Sequence, residues 1–249
     1  MLQVRNLNLR LGGLHILNNL TFDVREQSIT GLIGPNGAGK SSFFNAVFGL
    51  FPGATGSAKL EGVELLGKEP HEVSHLGIMR TFQDARLLPQ ITVLENLLIG
   101  ARYSEPVTLR RVFFDSRKLD EERQAHAHRA LELLRTVGLE EKAHELAKSL
   151  SYGQTKLIEI LKLFMTDSRV IFLDEPFAGL FPEMIKLISK LIRELTASGR
   201  TIMLVEHNMK LISEVCDHVI VLDAGAKLAE GTFDAIKKKP EVIEAYLGD

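Results

Sequence analysis

Ile29-Thr-Gly-Leu-Ile33-Gly34-Pro35-Asn36-Gly37-Ala38-Gly39-Lys40-Ser41-Ser42 is the stretch from which the fold can be read. Its first five residues are nearly all apolar, which suits a strand buried on both faces of a parallel sheet. The residues after it satisfy G-x-x-x-x-G-K-[ST], and an apolar helical pattern follows over 43–50. Average residue usage makes a chance match in a chain of this length an event on the order of 1%. Glycines let successive backbone N–H groups converge on one point, and a following helix N-terminus reinforces that anion nest. Gly34, Pro35, Asn36, Gly37, Ala38 and Gly39 would cradle phosphates, with Lys40 a flexible charge for the β and γ phosphates and Ser42 in the same binding set. The Ser41 hydroxyl is a hard oxygen ligand suited to Mg²⁺. A glycine turn that merely opens a helix is the competing reading, and the strand-loop-helix context weighs against it.

Working outward, three more apolar runs rich in Val, Ile and Leu occur at 170–173, Thr201–Val205 and 219–222. They read as further strands of the same parallel sheet. Between them the clearest helical pattern runs over 182–198, with Ile185, Leu187, Ile188, Leu191, Ile192 and Leu195 on its apolar face. Pro182 fits its first position and Gly199 its C-terminal cap. Strand and helix in alternation predict an α/β core that binds ligands beyond the carboxyl ends of its strands. Residues 2–9 and 14–24 alternate loosely around Gly12-Gly13, which predicts an antiparallel pair with one exposed face. The middle of the chain carries helix signals instead. Thr92 and Glu95 form a capping box, and Ala127, Ala130, Leu131, Leu134 and Val137 share one helix face ended by Gly138. The expected organisation is one domain: residues 1–90 and 166–249 form the α/β core with its N-terminal antiparallel part, and 91–165 form an inserted helical subdomain. Within the insert, 102–118 carries five basic and two acidic residues with Tyr103, Phe113 and Phe114 interleaved. It reads first as an exposed loop with tucked aromatics, and second as a contact for a partner or lipid headgroup.

The run at 170–173 leads into Asp174-Glu175-Pro176, two adjacent carboxylates where a strand ends. Neighbours on an extended chain point opposite ways, so the two acids have different work. Asp174 can hold Mg²⁺ through water, and Glu175 can orient or deprotonate a water attacking the γ phosphate, since phosphoryl transfer needs mainly positioning and charge neutralisation. The strand at Thr201–Val205 leads likewise into Glu206-His207, which puts an imidazole at the same sheet edge as a γ-phosphate sensor. His71 and His75 lie four apart with no third ligand in sight.

Leu150-Ser151-Tyr152-Gly153-Gln154 opens a helical stretch at 155–165. Ser151 and Gln154 make a capping box, and the serine hydroxyl with the Gly153 N–H is again an anion site at a helix N-terminus. This segment resembles the L-S-G-G-Q signature of the ATP-binding cassette (ABC) ATPases, and the resemblance covers the chain in order. It takes in the phosphate loop, Gln83 in Arg80-Thr-Phe-Gln83, the signature, Asp174-Glu175, a loop at Ala178-Gly179-Leu180, and His207. The resemblance implies a P-loop NTPase core, ATP and Mg²⁺ as cofactors, and Gln83 touching Mg²⁺ or the attacking water while reporting to a membrane partner. It also implies that Ser151, Gly153 and Gln154 contact ATP held by the opposite subunit of a dimer. The segment 77–83, the long insert, Tyr152 and the ending Ala245-Tyr-Leu-Gly248 resemble the ATPases of branched-chain amino acid importers, with urea-type importers a close competitor. Such a subunit would sit on the cytoplasmic face of the cell membrane with permease subunits and, indirectly, a substrate-binding protein. Two positions depart from the family. Leu11 stands where an aromatic usually stacks on adenine, which predicts weak discrimination of ATP from GTP, and Phe181 stands where Asp or Asn is usual.

Composition fits this reading. The chain has 249 residues and a net charge of −2, with 30 Lys plus Arg against 32 Asp plus Glu, so a wholesale nucleic-acid binder is disfavoured. An apolar content of 45% without strong net charge speaks against disorder. The single Cys216 suggests a reducing compartment, and neither a signal segment nor an apolar run of membrane-span length is expected. A soluble ABC protein acting in iron-sulfur assembly or on nucleic acid is the rival class, and a poorly hydrolysing subunit a third.

Overall fold

The computed structural model describes residues 1–81, 87–101 and 116–247. It divides into two compact units. The first comprises Met1–Gln83, Ser168–Ala178 and Arg193–Asp249, and the second Asp84–Asp167 with Gly179–Ile192.

The first unit holds two sheets. Strands β1 (Leu2–Leu11) and β2 (Leu14–Val24) pair antiparallel, as their alternation predicts, burying Leu2, Val4, Leu7 and Leu9 on one strand and Leu17, Leu20, Phe22 and Val24 on the other. The strands β4 (Thr55–Leu60) and β5 (Val63–Glu64) complete a sheet of order β2-β1-β4-β5. They carry too few apolar residues to stand out in the sequence. The second sheet contains β3 (Ile29–Ile33), β6 (Ile78–Arg80), β7 (Val170–Asp174), β8 (Thr201–Val205), β9 (His218–Asp223) and β10 (Ala226–Gly231), in the order β10-β9-β3-β8-β7-β6. The four apolar runs became β3, β7, β8 and β9, mutually parallel, and every residue of β3, β7 and β8 is buried. The hairpin partner β10 runs antiparallel to β9. At three residues, β6 is too short for a pattern, and only its parallel pairing with β7 makes it a strand.

Helix α1 (Lys40–Val47) joins the two sheets into one core. Phe43 stands 5.2 Å from Phe22 of the first sheet, and Phe44 stands 4.7 Å from Phe172 of the second, centroid to centroid. These aromatic contacts add to the area buried. The shorter α2 (Pro70–His75) precedes β6.

The second unit is helical: α3 (Val93–Leu98), α4 (Ser116–Thr136) and α5 (Tyr152–Met165) pack on one another. The capping box of Thr92 and Glu95 closes α3. Asn96, fully buried, donates to the carbonyls of Leu88 and Thr92 and accepts from the Leu88 N–H, tying the approach to the helix in place. Gly138 takes φ +70° just beyond α4, where a left-handed residue is needed to leave the helix. Helix α6 (Pro182–Ala197) starts within this unit and ends in the first one, and Gly199 follows it with φ +94°. The helices α7 (Met209–Val215), α8 (Phe233–Ile236) and α9 (Pro240–Leu247) belong to the first unit. No helix among the described residues is long and apolar enough to cross a membrane.

Candidate functional site

Strands β3, β8 and β7 are neighbours in that order and parallel, so the loops at their carboxyl ends emerge side by side. These are the loops that carry Gly34–Ser42, Glu206-His207 and Asp174-Glu175. An α/β sheet concentrates its ligand-binding groups at such an edge.

The phosphate loop is built on glycine for geometric reasons. A side chain at Gly34, where φ is +152°, would put its Cβ 2.1 Å from the carbonyl oxygen of Leu222, and one at Gly39 would stand 2.9 Å from Leu17. Gly37 and Gly39 have φ +79° and +96°. These left-handed steps turn the chain back on itself, the curvature of an anion nest. Asn36 and Gly37 are exposed, whereas Gly34, Ala38, Gly39 and Lys40 are buried. Gly39 opens α1 without a side-chain cap. Lys40 folds back, and its Nζ donates to the carbonyl oxygens of Gly34 and Pro35, both at 2.8 Å. Burial lowers the pKa of this ammonium, while the charges of Glu175 and Asp174 push it the other way. Ser41 is exposed and Ser42 half-buried at the first turn of the helix.

The two carboxylates have different partners, although the chain is not extended at the second. Asp174 is 7% exposed, and its Oδ2 accepts from Nη2 of Arg80 at 2.8 Å. Glu175 leaves the strand with φ +49°, an uncommon backbone for a non-glycine residue, held by its N–H donating to the Val205 carbonyl. Its Oε1 lies 2.9 Å from Nε2 of His207, so the predicted base and the predicted sensor touch. Glu206, next to His207 in the chain, is buried. Its Oε1 accepts from the N–H groups of His207 and Asn208, and burial raises its pKa above the ordinary value. Sequence reading assigned no work to Glu206 or to Arg80. The signal that would have flagged them is a charged residue inside or directly beyond a short apolar strand.

Ser151, Gly153 and Gln154 belong to the second unit. The Gln154 N–H donates to Ser151 Oγ at 3.3 Å, and Gln154 Oε1 accepts from the Ser151 N–H at 3.0 Å, a reciprocal capping box. A Cβ at Gly153 would meet Met184 at 3.3 Å, and one at Gly179 would meet the Tyr152 ring at the same distance. Phe181 is 81% exposed and Leu11 37%. Gln83 and the segment 102–115, with Arg102, Tyr103, Arg110, Arg111, Phe113 and Phe114, lie outside the described residues. His71 and His75 sit on α2 with ring centroids 6.2 Å apart, and no group of three potential metal-ligating residues occurs among the described residues. At the C-terminal end, Tyr246 is lodged beside the phosphate loop. Its buried hydroxyl faces the Gly34 N–H without closing a bond of normal geometry, and burial pushes its pKa up to about 12.

A loop and strand-edge constellation of this kind is that of a nucleotide-hydrolysing cassette, and comparison with known proteins agrees. Residues 17–178 match the family profile described as ABC transporter, and residues 226–249 match one described as branched-chain amino acid ATP-binding cassette transporter. The chain belongs to the ABC transporter family, as one of its ATP-hydrolysing subunits. It is 38% identical over 251 residues to the high-affinity branched-chain amino acid transport ATP-binding protein BraF of Pseudomonas aeruginosa, covering 100% of this chain and 98% of that one. It is 37% identical over 250 residues to LivG of Salmonella typhimurium, of the same description and with the same coverage. Among solved structures, a nucleotide-free ATP-binding cassette from an ABC transporter superposes with a TM-score of 0.83 at 33% identity, covering 100% of this chain and 99% of that one. An ATP-binding cassette of an ABC transporter in its ADP conformation gives 0.82 at 30% identity with the same coverage.

Proposed function

We propose that this chain is the Mg²⁺-dependent ATPase subunit of an importer of branched-chain amino acids. It acts as a dimer, with itself or a similar subunit, on the cytoplasmic face of the cell membrane beneath permease subunits fed by a substrate-binding protein. The observation that carries the cargo assignment is the C-terminal match at 226–249, outside the stretch 17–178 that matches the general ABC transporter profile, together with relatives of that description aligned from end to end.

The geometry of the first unit supports this chemistry. The loop from Gly34 to Gly39 and the uncapped start of α1 receive phosphates, and Lys40 exchanges its two loop carbonyls for phosphate oxygens. A phosphate oxygen bears more negative charge than a carbonyl, so the exchange is downhill once nucleotide is present. The Ser41 hydroxyl and Asp174 carboxylate, with Gln83, are hard oxygen donors of the kind Mg²⁺ takes alongside phosphates. When bound there, Mg²⁺ would neutralise phosphate charge. Glu175 orients the attacking water and accepts its proton, and His207, in contact with Glu175, senses the γ phosphate. Ser151, Gly153 and Gln154 engage the nucleotide of the opposite subunit. ATP binding thereby favours the closed dimer and hydrolysis releases it, a population shift driven by the γ phosphate.

Replacing Glu175 with Gln keeps the contact to His207 and removes the base. Turnover is expected to fall about a hundredfold or more while ATP binding persists, measured by phosphate release and by nucleotide retention on a dimer in size-exclusion chromatography. A wild-type rate would remove Glu175 from this role. Cargo is tested by reconstitution with the permease and binding protein encoded alongside. Stimulation of ATPase activity by a binding protein loaded with leucine, isoleucine or valine supports the assignment, and stimulation only by a urea-loaded one overturns it.

A further inference from the structure

Arg80 occupies a position that the proposed reaction does not use. Its side chain is 6% exposed and the Asp174 side chain 9%, so the ion pair between them, at 2.8 Å, is almost dry. The other arm of the guanidinium donates to Oδ1 of Asn45 on α1, and the guanidinium carbon lies over the Phe44 ring, 5.5 Å from its centroid. One residue therefore spans three parts of the site: the acidic end of β7, the helix that begins at Lys40, and the strand β6. Beyond β6, the Thr81 N–H still donates to the Phe172 carbonyl, two residues before Gln83. A planar, permanently charged fork suits such a junction, because it can bond two acceptors in fixed directions while stacking on a ring. A buried carboxylate needs a counter-charge, and removal of one member of a dry pair leaves the other uncompensated.

We propose that Arg80 is a positioning residue that aims Asp174 from α1 and competes with the divalent cation for the charge of its carboxylate. This rests on the reading of Asp174 as a cation-holding group. Arg80 keeps that carboxylate ordered and neutralised before the cation arrives, which weakens binding of the bare cation. The site then favours a cation that comes with nucleotide phosphates over free cation. The link from Asp174 to Asn45 also keeps the carboxylate in register with the phosphate-loop helix.

The test uses the full chain and Mn²⁺ as probe, with bound and free ion separated by electron paramagnetic resonance, with and without a non-hydrolysable ATP analogue. Arg80→Gln removes the charge and should bind Mn²⁺ without nucleotide about fivefold or more tightly, while kcat falls about tenfold and the KM for ATP moves less than about threefold. Arg80→Lys restores the charge without the fork, and should return Mn²⁺ affinity to the wild-type value while recovering only part of kcat. Asn45→Ala keeps the ion pair and loosens its anchor, so it should lower kcat with Mn²⁺ affinity unchanged, and it serves if Arg80→Gln does not fold. A loss of packing alone would not tighten cation binding. With Asp174→Asn as reference, two failures are told apart. If that variant binds Mn²⁺ with nucleotide as wild type does, the assignment of Asp174 fails and the proposal with it. If it binds more weakly while Arg80→Gln and Arg80→Lys leave Mn²⁺ affinity at the wild-type value, only the role of Arg80 is overturned.

Discussion

The helices α1 and α5 start on the sequence's two candidate anion sites and are finished in opposite ways. Helix α1 opens at Gly39 with no side chain capping it, and its ammonium, Lys40, is held on loop carbonyls. Helix α5 opens at Ser151 with a complete capping box, each partner satisfying the other's backbone N–H. The first turn of any helix has donors that need acceptors. An external anion at α1 meets groups that no side chain serves, so phosphate gains most there. At α5 an anion must share or displace Ser151 and Gln154. On the proposed reading the uncapped start suits phosphate binding, and the capped start is stable without ligand.

The most damaging way to break the comparison is at Gly34. A Cβ there stands 2.1 Å from the Leu222 oxygen, so Gly34→Ala should cost roughly 3 kcal/mol or more in urea unfolding. At Gly37 only the left-handed backbone opposes a side chain, and Gly37→Ala should cost about 1–2 kcal/mol. Lys40→Ala tests the tight site directly. ATP turnover should fall about a hundredfold or more, with the unfolding midpoint of the nucleotide-free protein within about 3 °C of wild type. A variant that still hydrolyses ATP at half the normal rate would break the assignment of α1.

Smaller effects sharpen the α5 side. Ser151→Ala should lose about 1 kcal/mol of stability with the cap. Ser151→Asp retains a good cap but sets a negative charge where phosphate is expected. Stability should hold while ATPase activity falls, and full activity in Ser151→Asp would reduce α5 to a structural helix start. The smallest effect concerns a third helix start, α7, where Asn208 caps and Glu206 accepts from the His207 and Asn208 N–H groups. Burial raises the pKa of Glu206 in the folded state, so the unfolded chain ionises first. Its stabilising effect is complete below the ordinary value of 4.5 and is lost as pH rises through the folded value. Glu206→Gln keeps the acceptor oxygen and removes the charge. Its unfolding midpoint should exceed wild type at about pH 8 and equal it at about pH 4.

The strands that bear the site were legible because burial on both faces leaves an unbroken apolar run, as at Ile29–Ile33 and Thr201–Val205. Helix ends were legible for a related reason: Thr92 with Glu95 and Ser151 with Gln154 satisfy donors within three residues, a purely local solution. The strand β6 was not legible, since three residues carry no period and its identity comes from pairing with β7. The helical unit also takes in Gly179–Ile192, within the range 166–249 expected for the α/β core, because which elements pack together depends on contacts and not on local pattern.

By itself, the sequence determined the class of site, because a phosphate nest, a capping box and a buried strand are set by residues adjacent in the chain. Tertiary structure alone decided which groups meet. Glu175 and His207, 32 residues apart, touch because β7 and β8 lie side by side, and Arg80 and Asp174, 94 apart, because β6 borders β7. Contacts across strands depend on sheet order, and no local pattern of side chains encodes that order.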